Sequence, residues 1–268
     1  MTRNADLSDT VNTMIEARKQ QLLEAAALLV NARRSHTPIA DLPAALAPTS
    51  LDEAYLIQDA IAAEFGPIGG WKIGAGSLEA TPAYAPMPLA WFYPSDSLLS
   101  GPRFRYRVLE GEIAFLLGKD LPARATPYTR AEVVAAIASC HPIIEELESG
   151  LIDPKAVAPL TASADLQMNG GFIYGPAYAD WQSIDFSTER VTLAVNGVVE
   201  VDRTGSNTSG DLMRLLPFLA NEGAARTGGL KAGQWITTGS WTGNTPAPAG
   251  SHAEVVFAHA GHVSLRFA

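Results

Sequence analysis

The sequence predicts an α+β protein in which a helical N-terminal arm over residues 1–66 leads into a β-rich body over residues 67–268. Apolar residues recur at helical spacing in the first segment. From Gly66 onward, glycine, proline and β-branched residues dominate, and the Asn196-Gly197 pair stands between two short apolar runs, as in a β-hairpin. Because helices come first and strands afterwards, the α+β class is favoured over alternating helices and strands.

Two helices are expected in the arm. The first covers residues 8–33, where apolar side chains return every three or four positions. The second follows a proline-rich connector, and Ser50 with Glu53 matches a capping box at its start. Gly66 is placed to end it.

The body is expected to consist of short strands with a few short helices. Residues 78–101 contain too many prolines for a central strand, so they are interpreted as a long loop. Thr129 and Glu132 form a second capping box at the start of a short helix. A further helix is expected near Pro217, and residues 253–268 are expected to form a closing hairpin.

Composition limits the classes of partner. The chain has 268 residues, 47% of them hydrophobic, and a formal net charge of −9, so it has no basic surface with which to neutralise nucleic-acid phosphates. No apolar stretch is long enough to span a bilayer, and the single cysteine, Cys140, has no partner for an internal disulfide. We therefore expect a cytoplasmic protein without nucleic-acid or membrane partners.

Two carboxylates lie two residues apart at the start of an apolar run, in Leu109-Glu110-Gly111-Glu112-Ile113. A strand repeats every two residues, so Glu110 and Glu112 would point to the same face. Like charges this close in a partly buried place require a cation between them or a retained proton. The pattern therefore indicates a metal site or an acid/base pair, unless the strand is an edge strand whose acids face solvent.

A third acid and a lysine are candidates for the same site. Strand alternation in residues 141–148 puts Glu145 on the apolar face, which makes it a candidate buried carboxylate, although a charged strand end in solvent would give the same pattern. Lys72 stands between Trp71 and Ile73 in a glycine-flanked segment. It is either a lysine extending to the surface or a desolvated cation that faces an anion.

The sequence shows no motif for metal ligands other than carboxylates. The five histidines form no zinc signature, and His259 and His262 are most simply turn residues on either side of Ala260-Gly261. Phosphate-binding glycine loops and a serine-hydrolase elbow are also missing. Since only carboxylates remain, the expected ion is a hard cation, Mg²⁺ or Mn²⁺.

Several segments in order resemble one family. They include GWKIG, EGEIAFLLGKDL, HPIIEELES, ADLQMNGGFIYG, VNGVV and LKAGQWITTGS. Together they resemble the 2-keto-4-pentenoate hydratases and the related 4-oxalocrotonate decarboxylases, within the fumarylacetoacetase-like group. The resemblance covers most of the chain, and its specificity comes from the order and spacing of the motifs.

The resemblance implies a single catalytic domain with a mixed β-roll core, a divalent metal, a small 2-oxo acid substrate and an assembly of identical subunits. By position in the motifs, the metal carboxylates fall on Glu110, Glu112 and Glu145, and an active-site lysine falls on Lys72. We also expect a catalytic role for Asp165. Substrate binding is expected for three residues: Ser77, Asn169 and Thr238.

The chain departs from the family pattern around the substrate. Gly74-Ala75-Gly76-Ser77 replaces a GLTS-like segment, and residues 85–90 lack an acid that the compared hydratases carry. Glu79 and Asp165 are the candidates for proton transfer. A hydratase is therefore expected, while decarboxylation, hydrolysis of a C–C bond and non-catalytic ligand binding stay open as alternatives.

Overall fold

The computed structural model describes the backbone of residues 3–268 and the side chains from Thr13 onward. The chain forms two compact units, one made of Met1–Phe65 with Ser149–Met168 and the other of Gly66–Glu148 with Asn169–Ala268. The boundary at Gly66 lies where the sequence changes in character. The segment Ser149–Met168 lies within the predicted β-rich body by its position in the sequence, but in the structure it packs with the helices.

The helices are α1 (Arg3–Ser35), α2 (Leu51–Glu64), α3 (Arg130–Val134), α4 (Pro159–Ala164), α5 (Leu215–Asn221) and α6 (Ala224–Thr227). The strands are β1 (Ile68–Gly74), β2 (Ala83–Pro88), β3 (Phe92–Pro94), β4 (Ser97–Leu99), β5 (Val108–Leu117), β6 (Leu121–Pro122), β7 (Ile137–Leu147), β8 (Asn169–Tyr174), β9 (Arg190–Val195), β10 (Val198–Thr204), β11 (Gly229–Leu230), β12 (Trp235–Thr237), β13 (Thr245–Pro246), β14 (His252–Phe257) and β15 (Gly261–Phe267). No helix in the described part of the chain is both long enough and apolar enough to cross a membrane.

In the helical unit, α1 is joined to the start of α2 by an ion pair between Arg18 Nη2 and Glu53 Oε2 at 2.7 Å. Ser50 caps α2 by accepting a hydrogen bond from the Glu53 N–H. The Glu53 carboxylate accepts from the Thr49 N–H and from Arg18. The predicted capping box is therefore only half formed, because the Arg18 guanidinium and the Thr49 N–H take the carboxylate. At Thr129, by contrast, both hydrogen bonds of the predicted box are present.

The second unit is built on an eight-stranded sheet with the order β2-β1-β12-β5-β7-β8-β3, in which β13 also pairs with β5. A five-stranded sheet has the order β10-β9-β14-β15-β4, and β11 pairs with β6. The predicted hairpin turn is confirmed, since Asn196 and Gly197 both have positive φ, 52° and 79°. Pro217 lies in the first turn of α5, where its missing N–H costs nothing.

The interpretation of residues 78–101 as a long loop was wrong, because this segment contains β2, β3 and β4. All three lie at the edge of a sheet. An edge strand has a side without hydrogen-bond partners in the sheet, so it tolerates a proline such as Pro86, which is in register with Trp71.

One face of the large sheet combines an apolar core with acidic residues. Met87, Ala114, Ile143 and Phe172 are fully buried and pack as one cluster. Glu112 lies two residues from Ala114 on β5, so strand alternation puts its side chain on the same face. The Glu112 side chain therefore lies against packed apolar side chains rather than in solvent.

Candidate metal centre

Three carboxylates meet on adjacent strands of the large sheet. Glu110 and Glu112 lie on β5, and Glu145 lies on β7 directly opposite Glu110. One oxygen from each carboxylate lies within 4.8 Å of the others. Glu112 and Glu145 are 1% and 0% exposed. The alternative of a solvent-facing acidic strand is therefore excluded for these two residues, and the predicted burial of Glu145 is confirmed.

Lys72 lies beside the same carboxylates. It is in register with Thr237 on the neighbouring strand β12, and its Nζ lies 2.7 Å from Glu145 Oε1. Burial lowers the pKa of Lys72, but the charges of Glu145, Glu110 and Glu112 outweigh it, and the pKa is raised overall. The structure therefore supports the desolvated-cation alternative, in which the ammonium balances part of the carboxylate charge.

The two carboxylate oxygens of Glu145 differ in their hydrogen bonds. Its Oε1 accepts hydrogen bonds from Lys72 Nζ at 2.7 Å and from Asn169 Nδ2 at 2.8 Å. Its Oε2 is buried and has no hydrogen-bond partner among the residues that the structure describes. A buried carboxylate oxygen without a donor is costly, and a cation at this place would satisfy it.

The donors to Glu112 come from β12 and the turn that follows it, on the side of β5 opposite to β7. Its Oε2 accepts hydrogen bonds from the Thr237 hydroxyl and from the Gly239 N–H, the latter at 3.0 Å. Burial, reinforced by Glu145 and Glu110 and opposed by Lys72, raises the pKa of Glu112 to about 8. Without a cation, the cluster therefore retains a proton near neutral pH.

The donor set fits a hard divalent cation. All three candidate ligands are carboxylates, two of them are buried, and the oxygens lie near enough for small side-chain rotations to close the distances. At about 2.1 Å from Mg²⁺, neighbouring ligand oxygens lie about 3 Å apart. Glu110, Glu112 and Glu145 are accordingly the residues that could hold the ion.

The predicted substrate-binding residues lie in different surroundings. Asn169 is buried and bonds to Glu145, so it supports a candidate ligand. The Thr238 hydroxyl donates to the Ile113 carbonyl oxygen at 2.7 Å, and its neighbour Thr237 is the residue that faces Glu112. The pairing of Lys72 with Thr237 on the neighbouring strand, which the sequence alone does not give, puts Thr237 beside the carboxylates. Substrate binding by Asn169 and Thr238 stays a prediction.

Ser77 lies in the exposed loop that follows β1. Its hydroxyl donates to Glu79 Oε2 at 3.2 Å, and its carbonyl oxygen accepts from Arg214 Nη2 at 2.8 Å. Both Ser77 and Glu79 are exposed to solvent. Their proposed roles in substrate binding and proton transfer therefore depend on this surface loop.

Asp165 belongs to the helical unit and not to the unit that carries the carboxylate cluster. Its Oδ1 lies 2.6 Å from Arg33 Nε, and its Oδ2 accepts from the Ser149 hydroxyl at 2.6 Å and the Gly150 N–H at 2.8 Å. Asp165 is fully buried. This geometry favours a structural ion pair over the predicted catalytic role, because both carboxylate oxygens are already engaged.

Comparison with known proteins agrees with the geometry. No family model matches the chain. A 2-hydroxyhexa-2,4-dienoate hydratase of Comamonas testosteroni is 33% identical over 158 residues, which are 59% of this chain and 59% of the relative. A 2-oxo-hept-4-ene-1,7-dioate hydratase of Escherichia coli is 27% identical over 234 residues, 81% of this chain and 87% of the relative.

Similar solved structures include the 4-oxalocrotonate decarboxylase of Pseudomonas putida G7 in complex with calcium and acetate. It superposes with a TM-score of 0.80 at 25% identity and covers 93% of this chain and 98% of that one. A second structure of the same enzyme, with magnesium and adipate, has a TM-score of 0.81 at 24% identity over the same shares of the two chains. The chain is thus similar in sequence to two hydratases that act on hydroxydienoate or oxo-heptenedioate substrates, and in structure to a 4-oxalocrotonate decarboxylase. Its fold is that of the fumarylacetoacetate hydrolase-like proteins, and the resemblance seen in the sequence is confirmed.

The carboxylate cluster of the chain lies in the unit that holds both larger sheets. The cluster, Lys72 and Asn169 all come from strands of the eight-stranded sheet. The match to the Comamonas hydratase spans less than two thirds of that relative's length.

Proposed function

We propose that the protein is a divalent-metal-dependent hydratase, a lyase that adds water to a 2-hydroxydienoate or 2-oxo acid such as 2-hydroxypenta-2,4-dienoate in aromatic compound catabolism. The observation that carries the proposal is the cluster of three carboxylates, two of them buried, in which Glu145 Oε2 accepts no hydrogen bond from the residues that the structure describes while Lys72 Nζ contacts Glu145 Oε1. The two relatives named as hydratases support it.

Glu110, Glu112 and Glu145 would hold Mg²⁺ or Mn²⁺. Bound there, the ion supplies a positive charge that stabilises an anionic oxygen on the substrate. Thr237 and Asn169 each donate to one carboxylate, so they hold the candidate ligands in a fixed orientation.

The Lys72 ammonium would supply a second positive charge, in addition to that of the metal ion. Water addition to a conjugated 2-oxo acid places a hydroxyl on C4 and a proton on C3, and the electron pair passes through an enolate whose negative charge lies on the 2-oxygen. The Lys72 ammonium, whose Nζ lies 2.7 Å from Glu145 Oε1, would stabilise that charge. Glu79 remains the candidate for proton transfer, and Ser77, Asn169 and Thr238 remain the candidates for binding the substrate.

A decarboxylase is the second candidate function. The structural similarity to 4-oxalocrotonate decarboxylase over nearly its whole length favours it. Loss of CO₂ next to a stabilised enolate uses the same charge on the 2-oxygen, so the described residues serve both reactions.

The test is an assay of purified protein with Mg²⁺ on a small panel of 2-hydroxydienoates and 2-oxo acids. A hydratase consumes the conjugated diene, as measured by ultraviolet absorbance, and forms a 4-hydroxy-2-oxo acid without releasing CO₂. Release of CO₂ would identify the decarboxylase. Loss of both reactions in Glu112→Gln, with activity retained in the surface variant Glu200→Gln, is expected. Full activity in Glu112→Gln would refute the metal role.

We further propose the finer features that the resemblance implies. These are a mixed β-roll within a single catalytic domain and an assembly of identical subunits. From the composition and the sequence pattern, we also propose a location in the cytoplasm without nucleic-acid or membrane partners. The net charge of −9 supports the absence of nucleic-acid binding.

A further inference from the structure

The segment 205–211 joins two loops that follow strands of the proposed site. β1, which carries Lys72, and β12, which carries Thr237, run parallel as neighbours. Past the end of β1, the Ala75 N–H donates to Ser209 Oγ at 3.3 Å, and Thr208 Oγ1 donates to the Ala75 carbonyl oxygen at 2.9 Å. Past the end of β12, the contact is made by Asn207.

Asn207 is 5% exposed and bonds to the turn that follows β12. Its Nδ2 donates to the Thr238 carbonyl oxygen at 2.6 Å and to the Gly239 carbonyl oxygen at 3.0 Å. Its Oδ1 accepts from the Ser209 N–H at 3.0 Å. The partners settle the orientation of the side-chain amide, because two carbonyl oxygens require the NH₂ end and an N–H requires the oxygen end.

The turn that Asn207 holds donates directly to Glu112. The Thr238 carbonyl and the Gly239 N–H belong to one peptide plane, and in a trans peptide they point in opposite directions. Asn207 bonds to the carbonyl side of this plane, and Glu112 Oε2 accepts from the N–H side. Gly239 has a φ of 92°, and because glycine populates positive and negative φ about equally, the backbone alone does not fix this orientation.

We propose that Asn207 is a positioning residue for the metal ligand Glu112. This inference rests on the proposed metal site. Asn207 fixes the rotation of the Thr238–Gly239 peptide, which fixes the hydrogen bond that orients the Glu112 carboxylate. Through Ser209 and Thr208, the same segment ties this turn to the chain that follows Lys72. Asn207 thus sets metal affinity without contacting the metal or the substrate.

The test uses Asn207→Ala, Asn207→Asp and a matched control. Asn207→Asp keeps the shape but sets a carboxylate oxygen against two carbonyl oxygens. The control is Asn221→Ala, because Asn221 makes the same kind of amide clamp, accepting from the Tyr128 N–H at 2.7 Å and donating to the Tyr128 carbonyl oxygen at 3.0 Å. The hydrogen bonds of Asn221 are made to Tyr128, which is not part of the carboxylate cluster.

Mg²⁺ affinity is measured by isothermal titration calorimetry, and backbone exchange of residues 235–241 is measured by hydrogen–deuterium exchange in EDTA. Both Asn207 variants are expected to bind Mg²⁺ about 10- to 100-fold more weakly and to exchange the Gly239 amide faster. Asn221→Ala is expected to lower the melting temperature and leave both readouts unchanged.

Wild-type affinity and exchange in the Asn207 variants would overturn the inference, as would equal losses in Asn221→Ala. If Asn207→Ala does not fold, the Mg²⁺ affinity and the Gly239 exchange of the isosteric Asn207→Asp test the inference. Failure of the wild-type protein to bind Mg²⁺ would refute the proposed function instead, and the exchange measurement in EDTA would still decide whether Asn207 positions the turn.

Discussion

Replacing Glu112 by glutamine should stabilise the protein without metal, and bound Mg²⁺ should remove most of that difference. The pKa of Glu112 is raised from its ordinary value of 4.5 to about 8. A carboxyl whose pKa is higher in the folded state destabilises the fold above its unfolded pKa, and this cost grows as the pH rises from 4.5 to about 8. At pH 7 the 2.5 units between 4.5 and 7 correspond to about 3 kcal/mol.

The geometry gives a similar magnitude. The oxygens of Glu110, Glu112 and Glu145 lie within 4.8 Å of one another. At that distance and an effective dielectric constant of about 20, each pair of carboxylates repels by about 3.5 kcal/mol. Glu112 meets two such charges, and Lys72 offsets part of the repulsion. The raised pKa and the Coulomb repulsion therefore both correspond to a cost of a few kcal/mol at neutral pH.

The assay is urea unfolding monitored by circular dichroism, with Glu200→Gln as the control for loss of an exposed charge. In EDTA at pH 7, Glu112→Gln should be about 3 kcal/mol more stable than wild type, and the difference should vanish near pH 4.5. With Mg²⁺ at about 100 times its Kd, wild type should gain about 2.7 kcal/mol, and the variant should gain little. A variant that is less stable than wild type in EDTA at pH 7 would refute the reasoning.

Three further outcomes are expected. Lys72→Met should lower turnover by about 100- to 1,000-fold while calorimetry still detects Mg²⁺ binding; normal turnover would contradict the role given to the ammonium. Asp165→Asn leaves the buried Arg33 without its carboxylate and should lower the free energy of unfolding by about 3–5 kcal/mol, measured by urea denaturation; unchanged stability with lost turnover would instead support a catalytic Asp165. Hydrogen bonding to Arg18 lowers the pKa of Glu53 to about 2 from an ordinary 4.5, so the pair contributes stability above pH 4.5 that is lost as the pH falls toward 2. Because both side chains are partly exposed, the loss relative to Glu53→Gln should be about 1 kcal/mol, measured by thermal unfolding across that range, and parallel curves for the two proteins would exclude it.

Local patterns in the sequence were sufficient for much of the fold. The Asn196-Gly197 turn and the Thr129 capping box depend on residues a few positions apart, and both form as predicted. The prolines of residues 78–101 misled the prediction, because proline excludes a central strand but not an edge strand. Which strands lie at an edge is decided by the pairing of distant segments.

The same division applies to the site. Sequence alternation alone places Glu110 and Glu112 on one face of a strand, and the residue types alone select a hard cation. Only the register of β5 with β7 puts Glu145 opposite Glu110. That register depends on the packing of the whole sheet, which short-range periodicity does not encode.

Tertiary structure also decided the partners of Asp165 and the residues that hold the candidate ligand Glu112. Asp165 and Arg33 are 132 positions apart in sequence, and the loop residue Asn207 is 31 positions from Thr238. By itself the sequence determined which chemical groups the protein has for a metal site. Only the folded chain decided that Asp165 is held in an ion pair with Arg33, and that Thr237 and Gly239 are the donors that hold Glu112. The physical reason is that a hydrogen bond depends on distance and direction between groups, which the packing of sequence-distant segments sets.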